Sequence, residues 1–207
     1  MGWTTAWFVV VASLLVLAMV PALWERYEPV IRTIALGSTA DAGSACAPPP
    51  KPPGLPAATI ARVADGDTVL LRLPDGRRER VRLIGIDTPE LNEGAELERD
   101  VQRSGRDTPT FQALGQRASA FTRRLLPQGT RVEIEHDVQD QDRHGRLLAY
   151  LWTRDGGLVN LVIMREGYAR MITVPPNVRY EALFRACQRE ARQAGRGLWR
   201  KVGAEAR

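Results

Sequence analysis

The stretch Val81-Arg82-Leu83-Ile84-Gly85-Ile86-Asp87-Thr88-Pro89-Glu90 constrains this chain most: it alternates like a strand, carries an arginine among large aliphatic residues and stops at a proline. A period of two places Val81 and Leu83 on one face and Arg82, Ile84 and Ile86 on the other. Burying an unpaired charge is costly, so an arginine on such a face calls for an anionic partner. Pro89 cannot donate to a ladder and ends the strand, leaving Glu90 on irregular backbone beyond it.

Two further segments offer acidic and basic groups. Asp65-Gly66-Asp67-Thr68 sets two carboxylates around a glycine where a turn enters the alternating run 68–73, and Asp142-Arg143-His144-Gly145-Arg146 is a charged turn. Together the three hold the carboxylates and guanidinium groups that metal-assisted cleavage of a phosphodiester needs. Hard cations such as Ca²⁺ take oxygen ligands in irregular geometry, which makes Asp67 and Asp87 the leading metal ligands. Arg82 and Arg146 supply planar forks of donors that match phosphate oxygens, and Glu90 is free to orient or deprotonate an attacking water. Singly, each segment has a plainer reading: a turn, a helix start with an early proline, a solvated arginine. Their joint occurrence in one stretch of chain carries the argument.

In that order, a D-G-D-T turn, an R-x-x-x-x-D-T-P-E stretch and a D-x-x-G-R turn resemble those of the staphylococcal nuclease, or thermonuclease, family. The similarity runs over 57–199 and takes in Ala118-Ser119-Ala120-Phe121-Thr122 and Gly197-Leu198-Trp199. The resemblance implies that Asp67 and Asp87 bind Ca²⁺ with the backbone carbonyl of Thr88. It implies also that Arg82 and Arg146 contact the scissile phosphate, that Glu90 is the general base, and that cleavage leaves a 3′-phosphate. The implied substrate is DNA, with RNA left open, and the implied catalytic domain is monomeric, with no protein partner evident. Two positions depart from the family pattern. His144 stands where the family often has tyrosine, so Arg143 and His144 are assigned only as substrate contacts. The segment 171–177 lacks the tyrosines that stack on a base; stacking contributes about 1–3 kcal/mol per base, so the expectation is a weaker or different substrate affinity or base preference, with chemistry at the phosphate not required to change.

The resemblance also implies an α+β fold, mainly β: a five-stranded oligonucleotide-binding (OB-fold) barrel with about three helices, filling 57–201. The residues agree. Strands are expected at 57–64, 68–73, 79–86, 130–137 and 146–153, and helices at 111–126, 158–166 and 180–194, with Gly167 and Gly195 at helix ends. Such a barrel binds strands across one face. The charged, aperiodic stretch 91–109 reads either as a disordered insertion or as a lid whose Arg99, Arg103 and Arg106 touch the nucleic acid.

Residues 2–24 carry no charged side chain, enough apolar length to cross a bilayer as one helix, with Trp3, Trp7 and Trp24 near the ends. This predicts a membrane anchor over 1–24. A cleaved signal peptide, cut near Val20-Pro21-Ala22 to release a secreted protein, is the rival, and the length of the run and the lack of Lys or Arg before it favour the anchor. A juxtamembrane segment and Pro/Ala-rich linker follow over 25–56, and a short tail occupies 202–207. With a free linker, Cys46 and Cys187 are expected as free thiols, since a bridge would require the linker to fold back. The net charge of +5 falls entirely after residue 56 and favours phosphate partners. The alternative function is a catalytically inactive OB-fold module, tethered to the membrane, that binds nucleic acid or protein; the surviving metal and phosphate residues argue against it.

Overall fold

Short runs with one apolar face each bury that face by closing on one another. The computed structural model describes residues 45–89, 102 and 108–200. In chain order the elements are β1 (Ala57–Val63), β2 (Thr68–Arg72), β3 (Arg78–Leu83), β4 (Ile86–Asp87), α1 (Thr108–Leu125), β5 (Arg131–Glu135), β6 (Leu147–Thr153), α2 (Val159–Arg165), β7 (Arg170–Met171) and α3 (Glu181–Gln193), with a 3₁₀ turn at Gly197–Trp199. A closed barrel runs β1-β2-β3-β6-β5, and β4 pairs β7 outside it. Every barrel contact is antiparallel except β3 with β6. This is the expected α+β arrangement of five barrel strands and three helices.

The registers Val69↔Val81, Ile60↔Leu71, Leu83↔Ala149 and Ile134↔Leu151 fill the barrel with side chains no more than 3% exposed. The other face of β6 is also covered. Tyr150 and Trp152 turn outward and are buried under α3, where the rings of Tyr150 and Tyr180 meet edge to face at 4.7 Å.

Three expectations are corrected. The run 79–86 is not one strand: β3 stops at Leu83, the chain turns at Ile84-Gly85, and β4 leaves the barrel for β7. Gly85 permits this, because its φ is +80° and a Cβ there would lie 2.5 Å from the Phe184 ring. Ile84 and Ile86 are thus buried by a turn and not by sharing a pleated face with Arg82. Asn160 of α2, fully buried, fixes the turn by donating to the Ile84 carbonyl at 2.9 Å while accepting from Leu151 N at 3.1 Å. Second, α1 begins at Thr108 and not at 111, since Pro109 falls in the first turn, where no backbone N–H is needed.

Third, Cys46 and Cys187 are not free thiols. They form a disulfide with Cα atoms 4.7 Å apart, both residues at most 1% exposed. Residues 45–56 do fold back. Ile134 N donates to the Pro56 carbonyl at 2.9 Å, extending the β1–β5 pairing toward the N-terminus, and Lys51 Nζ meets Glu133 Oε1 at 3.0 Å. The expected membrane segment 1–24, Glu90, the arginines Arg99, Arg103 and Arg106, and the tail 202–207 lie outside the described residues. Among the described residues no helix is long and apolar enough to cross a membrane.

Candidate functional site

Asp67 stands where the β1–β2 turn enters β2, 1% exposed. A carboxylate so buried has to be satisfied by donors. Its Oδ2 accepts from Thr88 N at 2.8 Å and from the Thr88 hydroxyl at 3.0 Å; its Oδ1 accepts from the Thr68 hydroxyl at 3.1 Å and pairs with Arg82 Nη1. Gly66 makes the approach possible, because a Cβ there would sit 2.7 Å from Thr88 Oγ1. The turn is held from the other side by Thr122 of α1, whose hydroxyl donates to the Gly66 carbonyl at 2.7 Å, and by Leu83 N donating to the Asp67 carbonyl at 2.9 Å.

Arg82 leaves β3 beside Thr68, its register partner on β2. Its second terminal nitrogen, Nη2, reaches Asp87 Oδ1 at 2.9 Å. One guanidinium therefore spans the two carboxylates that the sequence singles out, and the predicted anionic partner of Arg82 is two partners. Asp87 is also approached by Arg170, which faces it across β4–β7 and places Nη2 at 3.5 Å from Oδ2. Sequence reasoning missed Arg170. Its only signal is a strand pairing between residues 83 apart, which no local pattern reveals.

Asp142 closes the charged turn. Its Oδ1 accepts from the backbone N–H of His144 and of Arg146, both at 2.9 Å, and its Oδ2 accepts from Arg146 Nε at 2.7 Å. Burial works against its charge, but the hydrogen bonds and charge of Arg146 and the His144 N–H outweigh that and hold the carboxyl below its ordinary range. The structure does not bring Arg146 into contact with Asp67 or Asp87. It stands in the turn just before β6, two residues ahead of Leu148, the parallel register partner of Arg82. Only Nε of Arg146 is engaged among the described residues. Arg143 and His144 are exposed on the turn and contact each other at 3.0 Å.

The donor set at Asp67 and Asp87 is two carboxylates, with Thr88 as their neighbour in space and in sequence. Oxygen-only donors of this kind fit a hard divalent cation completed by water. Among the described residues no group of three or more His, Cys, Asp or Glu side chains is gathered for a metal.

Residues 80–201 match the family described as staphylococcal nuclease homologue. A thermonuclease of Staphylococcus intermedius is 38% identical over 142 residues, covering 69% of this chain and 75% of its own. A thermonuclease of Staphylococcus hyicus is 34% identical over 140 residues, or 68% and 73%. Endonuclease YncB of Bacillus subtilis (strain 168) is 32% identical over 147 residues, or 70% and 62%.

Proposed function

The chain belongs to the staphylococcal nuclease family, and from that premise we propose that it hydrolyses phosphodiester bonds of DNA, and of RNA as a second substrate, with Ca²⁺ as the working metal. The observation that carries the reading is the single guanidinium of Arg82 on both Asp67 and Asp87, which gathers charge of both signs at one largely buried place on the barrel wall.

Each residue has a defined task. Asp67 and Asp87 would hold the cation with the Thr88 carbonyl. When bound, the cation supplies positive charge to the phosphate and lowers the pKa of a bound water. Arg82 and Arg146 donate to the non-bridging phosphate oxygens as charge builds there. Asp142 positions Arg146 by holding its Nε. Arg143 and His144 meet the substrate from the exposed turn. Glu90 would take the proton of the attacking water; the water oxygen bonds to phosphorus, the P–O5′ bond breaks, the departing 5′ oxygen takes a proton from solvent water, and a 3′-phosphate remains. The segment 1–24 places the enzyme at a membrane or, if cleaved, outside it.

Cleavage of single-stranded and duplex DNA with Ca²⁺, with Mg²⁺ and with chelator tests the proposal, beside Arg82→Ala. Cutting that needs Ca²⁺, and a loss of about 10²–10³ in kcat in a variant that still melts cooperatively, is expected. Binding without cutting under every metal condition would make the chain a nucleic-acid-binding barrel instead.

A further inference from the structure

The second half of β1, the hairpin ends of β2 and β3, and the C-terminal end of α1 with the loop after it enclose a groove of about 770 Å³ that contains none of the residues assigned above. Its rim carries Arg62, Arg72, Arg78 and Arg123, its floor is aliphatic, with Leu70 and Leu126, and no carboxylate lines it. None of the four guanidiniums has an acidic partner among the described residues. Some arginines elsewhere on the surface are paired, Arg77 with Asp75, Arg146 with Asp142, Arg179 with Glu135 and Arg185 with Glu181, while others such as Arg80 and Arg131 are not among the described residues, so it is the gathering of four in one groove that sets these apart. Arg72 and Arg78 are direct cross-strand partners, an arrangement in which like charges repel and which an anion between them relieves. Strand alternation then sets Arg78, Arg80 and Arg82 on one outer face of β3, a basic row that runs about 13 Å from the groove to the site.

We infer that this groove is an exosite for the phosphodiester backbone of a single-stranded nucleic acid, which it holds along β3 so that the strand reaches Arg82. The inference rests on the nuclease reading for its purpose but not for its geometry. The lining has no aromatic ring on which a base could stack, so recognition is of phosphate, indifferent to sequence and sensitive to salt.

The test compares the full chain with its Arg72→Gln/Arg78→Gln variant. Affinity for a long single-stranded oligonucleotide is measured in chelator across a salt series, and kcat/KM is measured in metal on that oligonucleotide and on a dinucleotide too short to reach the groove. Loss of two phosphate contacts should flatten the slope of log K against log salt by about 1.4 and weaken binding roughly ten- to thirtyfold near 0.1 M salt. Cleavage of the long substrate should fall in step, with the dinucleotide rate unchanged. An unchanged slope and affinity overturn the exosite and leave the nuclease reading standing. Equal losses on both substrates also overturn it, since the two arginines would then act at the site itself. Weaker binding to anionic lipid vesicles with oligonucleotide binding intact would reassign the groove to a membrane surface. If the unaltered chain cuts neither substrate, the nuclease reading fails, while the binding series still decides whether the groove holds nucleic acid.

Discussion

Gly66 shows how closely the candidate site depends on one atom. Alanine there would press its methyl group into Thr88, the residue that gives Asp67 two of its donors. Gly66→Ala is expected to cost about 1–3 kcal/mol, measured by denaturant unfolding, and to depress cleavage further than that loss explains. Asp142 yields a pH prediction. Its folded-state pKa lies below the ordinary carboxyl value, so its contribution is present above about pH 4 and disappears as pH falls through the folded value. The melting-temperature gap between the unaltered chain and Asp142→Asn should be open at neutral pH and close in acid. At this scale the pairing within the candidate site was legible: an arginine within an aliphatic run had to find an anion, and Asp67 and Asp87, which it meets, come from turns that announce themselves by glycine and proline. The approach of Arg170 to Asp87 was not legible, because β4 and β7 pair over a separation that alternation does not encode.

The elements followed their periodicity except where a buried polar group or a tight contact intervened. The split between β3 and β4 turns on Gly85 meeting Phe184 and on Asn160 capturing the Ile84 carbonyl, contacts supplied by helices remote in sequence. Asn160→Ala should leave the Ile84 carbonyl and the Leu151 N–H unsatisfied and cost about 2–4 kcal/mol in chemical denaturation. At the N-terminus of α3, Tyr180 donates to Glu135 at 3.0 Å, and Glu135 also accepts from buried Trp152 at 2.6 Å. Burial, then the bond to Glu135 and its charge, push the Tyr180 phenol up to about 12. A raised pKa contributes stability that is complete below about pH 10 and lost as pH rises through 12. The stability deficit of Tyr180→Phe should accordingly be constant at neutral pH and shrink over that alkaline range.

Across the whole molecule the largest departure from expectation is the bridge between Cys46 and Cys187. Composition argued for a free spacer, and a Pro-rich stretch gives no local sign that it will lie along a strand edge and bury a thiol against a helix. The bridge closes a sequence separation of 141 residues, worth up to about 5 kcal/mol in the chain-entropy account. Reductant should lower the melting temperature of the unaltered chain and leave that of Cys46→Ser unmoved. The bridge also sets where force would travel. Every barrel strand, and with them Asp67, Arg82, Asp87 and Arg146, lies inside the ring it closes. Tension arriving from the chain before Cys46 would pass through the two sulfur atoms into α3, and β1, the strand that such a pull would otherwise peel away first, would carry little load.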